Sequence, residues 1–208
     1  MTVAQALAAY VVAAGLLTLT PGLDTALILR TAAVEGPKRA ALAAIGVSLG
    51  CLVWGGAVAL GLGALLQASA LAFTVLKWAG AAYLVWLGLN LLLKPRERFE
   101  VAAGSPSGGG DFTWMRRGLL TNLLNPKVGV FYISFLPQFL PSGVQAGPFI
   151  FLLAVIHVVI GTAWSGCLIA ATQPIATALK RPAVVRWLDR ATGVVFLGFG
   201  LRLALERR

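Results

Sequence analysis

Residues 40–76 read "AALAAIGVSLGCLVWGGAVALGLGALLQASALAFTVL", 37 consecutive positions without a charged side chain. A membrane-spanning helix needs roughly 20 apolar residues, so this run is long enough for more than one crossing. A second run, residues 128–179, is also free of charge unless His157 is protonated. Of the 208 residues, 59% are hydrophobic and 12% charged, with a mean hydropathy of +0.87; soluble domains are nearer half apolar and a quarter charged. These features define an all-α integral membrane protein.

Working outward from residues 40–76, proline, glycine and charge divide the chain into six expected spans: 3–34, 40–66, 69–93, 118–140, 148–172 and 184–205. The start of the chain lacks the basic segment that precedes the apolar core of a signal peptide, so it reads as a retained first span. Residues 94–117, rich in Gly, Ser and charge, read as a flexible cytoplasmic linker between a first half, 1–93, and a second half, 118–208, of one transmembrane domain. The sixth span is short of apolar length: Arg190 and Arg202 leave 11 uncharged residues between them, about 16 Å of helix. It spans only if their side chains snorkel to the interfaces; the alternative is a helix lying on the membrane.

The net charge of +10 does not point to nucleic acid, because the basic residues cluster between apolar segments. Arg30, Lys38 and Arg39 follow span 1, five more lie between Lys94 and Arg117, and Lys180, Arg181, Arg186 and Arg190 precede or open span 6. The positive-inside rule then puts both termini outside the cytoplasm. The halves also echo each other. "KWAGAAYLVW" from Lys77 aligns with "RATGVVFLGF" from Arg190, "GCLVW" at Gly50 with "GTAW" at Gly161, and spans 1 and 4 each carry an internal proline. Two halves of three spans each must enter the membrane from opposite sides, giving an inverted-topology repeat, a plan common in secondary transporters.

Spans 1 and 4 are expected to break at their prolines, Pro21-Gly22 in "LTLTPGLDTALILR" (residues 17–30) and Asn125-Pro126 in span 4. Proline removes a backbone hydrogen bond and strands a carbonyl, and in hydrocarbon such groups need protein partners or a polar cavity. Each break has an ionisable neighbour, Asp24 and Lys127, at what the topology makes a similar depth. An ionised side chain at a helix centre costs roughly 2.5–3.5 kcal/mol on insertion scales. Asp24, Lys127, Asn125, Pro21, Gly22 and Pro126 are therefore the candidate substrate and ion site. The plainer alternative is an ion pair stapling span 1 to span 4. A site with an acid, a lysine and freed helix N–H groups suits a zwitterionic amino acid, with Asp24 also able to carry a proton in competition with the cargo.

The stretches "LTLTPGLDTALILR", "LKWAGAAYLVWLGLNLL" (residues 76–92) and "GLLTNLLNPKVGVFYISFLPQF" (residues 118–139) resemble the lysine exporter family, including its homoserine, threonine and leucine efflux branch. The resemblance implies a multi-pass bacterial inner-membrane exporter of amino acids or related small metabolites, driven by proton antiport. Carried over by position, Pro21, Gly22, Asp24, Asn125, Pro126 and Lys127 match its motif residues. Two positions depart from it: Leu23 stands where many members have a second proline, and Cys51 where many have an acid.

Further along the chain, His157 is a lone intramembrane histidine, either a proton relay or a structural hydrogen bonder. Trp54 and Trp164, at paired positions in spans 2 and 5, are the tryptophans expected to line a pathway. Gln138 is expected either to line the exit or to cap span 4. The glycines at 46, 50, 80, 88, 161, 193, 198 and 200 are expected to permit close helix approach. Cys51 and Cys167 fall at corresponding places in spans 2 and 5, which makes a membrane thiol-redox carrier the rival function. No metal site is expected, nor a cofactor beyond a proton gradient, nor an enzyme, since neither a catalytic triad nor a phosphate-binding loop is present. The partners expected are a small-molecule substrate and the bilayer, and a homodimer is compatible with the sequence.

Overall fold

A proline at position 21 has no N–H to offer the carbonyl of Leu17, and the first helix ends there. In the computed structural model, which describes residues 2–68, 70–95, 110–179 and 181–205, α1 (Val3–Leu19) and α2 (Leu23–Val34) meet at a bend of 53°. Two long helices follow, α3 (Pro37–Ala68) and α4 (Ala70–Leu93). Then α5 (Asp111–Leu123) breaks at Leu124 and Asn125, and the chain resumes as α6 (Pro126–Val130), a π turn Phe131–Phe135 and a 3₁₀ turn Leu136–Phe139. This second bent pair turns by 56°. The change of register ahead of Pro137 follows from that residue's missing N–H.

The last three helices are α7 (Ala146–Ala170), α8 (Thr172–Leu179) and α9 (Pro182–Leu205). By length and composition α3 over Pro37–Gly61 and α7 are each able to cross a membrane, and counting each bent pair as one crossing brings the number among the described residues to four.

Three expectations need correction. The stretch 94–117 is not all linker: helix α5 starts at Asp111, seven residues ahead of the expected Gly118. Its first-turn acid suits a helix N-terminus and also takes Lys38 at 2.5 Å, while Trp114 is fully buried with Arg117 over its ring at 4.5 Å. Residues 111–117 look polar because their charges lie on the other faces of an amphipathic helix. The connection before α9 carries a short helix, α8, which begins at Thr172 after α7 ends at Ala170 and has Pro174 in its first turn. The glycines do not all serve close approach. A Cβ at Gly46 would lie 2.0 Å from Met115 O, one at Gly118 2.0 Å from Ala43 O, and one at Gly193 2.9 Å from Gly88 O, but nothing stands within 4 Å of Gly161 or Gly198. The expected linker residues 96–109, with Lys180, Arg207 and Arg208, lie outside the described residues, as do the side chains of Lys77, Gly80, Tyr83, Leu84, Pro126 and Arg202.

Two apolar clusters organise the interior. The larger joins Tyr10 of α1 to Phe131, Phe135 and Phe139 after the second break and to Phe196 and Phe199 of α9. Its rings stack and tilt at centroid distances such as 4.9 Å (Phe131 to Phe135) and 4.6 Å (Phe135 to Phe199), the offset and edge-on geometries that aromatic quadrupoles favour. The smaller joins Ile28 and Leu29 of α2 to Ala44, Leu168 and Leu179, with Trp164 against it. Between the two clusters lie both helix breaks.

Candidate functional site

The carbonyl that Pro21 strands finds a substitute donor from the other broken helix. Lys127 Nζ donates to Leu17 O at 2.9 Å and to Thr20 O at 2.6 Å, satisfying the C-terminal end of α1 with a full positive charge where the helix dipole is negative. Lys127 is itself positioned by the Asn-Pro-Lys sequence. Asn125 is the N-cap of α6, its side chain accepting from Lys127 N at 3.1 Å, and Pro126 fills the first helical position, where an N–H is not needed.

On the far side of the first break, Asp24 sits in the first turn of α2. Its Oδ2 accepts from Asn122 Nδ2 at 2.9 Å; its Oδ1 is buried with no hydrogen-bond partner of standard geometry among the described residues. Asn122, fully buried on α5, also reaches Cys51 Sγ at 3.5 Å. Gly50 makes room for it: a Cβ there would lie 2.5 Å from Asn122 Oδ1. Thr20, whose Oγ1 donates to Leu16 O at 2.8 Å, is also hydrogen-bonded to Thr192 of α9.

These groups surround a cavity of about 80 Å³ bounded by α1, α2, α3, α6 and α7. Gly22, Asp24, Asn125, Lys127, His157 and Trp164 of the expected residues border it. His157 is fixed by a 2.9 Å hydrogen bond between its Nδ1 and the Tyr132 hydroxyl. Pro21 forms the first break without being among the described bordering residues. Trp54 is elsewhere, packed on Gly129, where an added Cβ would lie 2.9 Å from its ring. Gln138 is buried near the aromatic cluster, its Nε2 donating to Ser134 O of its own helical segment at 2.8 Å.

Sequence reading missed Asn122, Thr20, Ser48 and Ser165 as site residues, and marked Cys51 only as a departure from the family pattern and as a redox candidate. For Asn122 a signal existed: it is a second asparagine three positions ahead of Asn125, at the edge of the expected break. The hydroxyl residues carried none, because Ser and Thr are ordinary in membrane helices.

Cys51 is buried and borders the cavity, whereas Cys167 is exposed. Ser48 of α3 bonds Thr162 of α7 at 3.2 Å and Gly55 faces Ala154. This antiparallel register leaves the two cysteines about nine residues apart along the pair, roughly 13 Å at helical rise and beyond disulfide reach. The thiol-redox alternative has no support.

The arrangement is that of a multi-pass helical membrane protein with a polar cavity where two interrupted helices meet. Residues 16–207 match the LysE type translocator family, and the chain belongs to that family. It is 32% identical over 200 residues to an uncharacterized membrane protein of Vibrio cholerae, covering 96% of each chain. It is 32% identical over 200 residues to the leucine efflux protein of Klebsiella pneumoniae, covering 94% of this chain and 92% of the relative. It is 34% identical over 204 residues to the homoserine/homoserine lactone efflux protein of Salmonella typhi, covering 96% of each. No solved structure matches it.

Proposed function

We propose that this protein exports amino acids or related small metabolites across the bacterial inner membrane by proton antiport, with the cavity at the two helix breaks as its cargo site. One observation carries the reading: both breaks, Asp24 and Lys127 border a single cavity in which Thr18 Oγ1 and Trp164 Nε1 are buried without hydrogen-bond partners, and Asp24 Oδ1 without one of standard geometry, among the described residues. Buried polar atoms are normally paired, so such a cluster calls for a ligand. A cargo ammonium pairs with Asp24; a cargo carboxylate meets the first-turn N–H groups of α2, which no side chain caps. Asp24 takes a proton when the cargo leaves. The efflux functions named for the leucine and homoserine relatives support an amino-acid cargo.

In the same reading the chain makes six crossings, α4 and α9 supplying the third and sixth, as two inverted repeats with both termini outside. Matching bends of 53° and 56° support the repeat, as do corresponding contacts: α5 packs on α3, and α1 packs on α7. With 24 residues, α9 is about 36 Å long, and it lies against α4 through Gly88, Gly193 and Gly200, which favours a crossing over a helix flat on the membrane. The charge distribution then puts the aromatic cluster on the outer side of the cavity and the Ile28 and Leu168 end on the cytoplasmic side, the arrangement of an exporter waiting to load.

The test is Asp24→Asn. Cells loaded with amino acids or their dipeptides, with and without a proton gradient, are expected to lose efflux while the variant inserts at normal abundance. Efflux at the wild-type rate removes the site, and loss of the folded protein in its place favours the structural staple.

A further inference from the structure

We infer that Gly161 sets the size of side chain the cavity accepts, its missing Cβ being the space into which the cargo's side chain projects. The inference deepens the proposed export function and rests on it. Gly161 lies in the middle of α7, where glycine is a poor helix former beside alanine, so a packing reason is expected. None is present: an added Cβ meets nothing within 4 Å. Other described glycines, such as Gly56, Gly166 and Gly198, are similarly open, but Gly161 alone among them borders the cavity.

Its surroundings have two characters. One helical turn back on the same face is His157, on the side of Asp24 and the breaks; one turn onward is Trp164, which packs with Ile28 and Leu168 in the smaller apolar cluster. The wall at Gly161 therefore lies between groups suited to the charged end of an amino acid and a bay suited to an aliphatic one. The backbone there is held without side-chain help from Gly161, since Ser165 Oγ donates to Gly161 O at 2.7 Å. Adding methyl groups at this position fills the bay and leaves the charged end as it is.

Gly161→Ala and Gly161→Val are tested by efflux of alanine, threonine, homoserine, leucine and phenylalanine from loaded cells, with membrane abundance measured for each variant. A pocket contact worth one methylene changes discrimination by about 10- to 200-fold. The ratio of leucine or phenylalanine efflux to that of the smallest exported cargo is expected to fall at least about tenfold in Gly161→Val, with Gly161→Ala between it and the wild type. Gly166→Val, equally open but away from the cavity, is expected to leave the ratio unchanged. An unchanged ratio in Gly161→Val overturns the inference, whether all cargoes continue or all decline together, and so does an equal shift in Gly166→Val. Failure of the underlying export reading looks different: Asp24→Asn then exports normally, or the wild-type protein exports none of the five.

Discussion

At Pro21 the residue that breaks the helix and the residue that repairs it lie on different elements 106 positions apart. Lys127 supplies the hydrogen to Leu17 O that any other residue at position 21 would supply from its own backbone. This gives a prediction with an internal control. Lys127→Met strands buried carbonyls at about 1–3 kcal/mol each, and the thermal unfolding midpoint in detergent is expected to fall. Adding Pro21→Ala restores one N–H donor, so the double variant is expected to be more stable than Lys127→Met alone. If the two substitutions simply add their losses, the ammonium is not acting as a surrogate amide. Gly22, by contrast, has ordinary extended backbone, and a Cβ there would stand 3.6 Å from the Lys127 side chain, so sterics alone do not require glycine.

Between elements, close backbone approach locates the cavity walls. At the α3–α5 crossing the Cα atoms of Gly46 and Gly118 face carbonyls of the opposite helix, and one turn further along Gly50 faces Asn122, which holds Asp24. Gly46→Ala overpacks this crossing, at a cost of about 1–3 kcal/mol, measurable as a lower melting temperature and reduced membrane abundance. Gly56→Ala on the same helix, with open space opposite, is expected to change neither. Equal stability of the two variants would mean that α3 and α5 are not locked at Gly46. The sequence made these glycines visible as a group without saying which meet a neighbour, because glycine spacing reports only that a backbone is bare. For the same reason Gly161 was expected to be a packing residue and is found beside a cavity.

For the molecule as a whole, the proposed orientation assigns the aromatic cluster to the outer side of the cavity and so sets a direction of access. Cys51 offers a reporter, since it borders the cavity and is partnered by Asn122. In a Cys167→Ala background, a membrane-impermeant thiol reagent is expected to label Cys51 in inside-out vesicles and not in intact cells. Phe135→Ala, which removes a fully buried ring at the centre of the aromatic cluster, is expected to raise labelling from outside. Labelling of Cys51 from the outer face alone, with Phe135 in place, would reverse the orientation. Replacing both cysteines by alanine is expected to leave export intact.

The sequence by itself determined a helical membrane protein, the two proline breaks as points of interest and the pairing of each with an ionisable residue. These are local properties, fixed by side-chain hydropathy and by the missing N–H of proline. Only the tertiary structure decided that Lys127 caps α1, that Asn122 holds Asp24, that Trp164 and His157 face the cavity while Trp54 and Gln138 do not, and that Gly161 is open. Those depend on which face each helix turns toward its neighbours. A chain this uniformly apolar gives little sign of that, because a lipid-facing side and a buried side are built from the same residues.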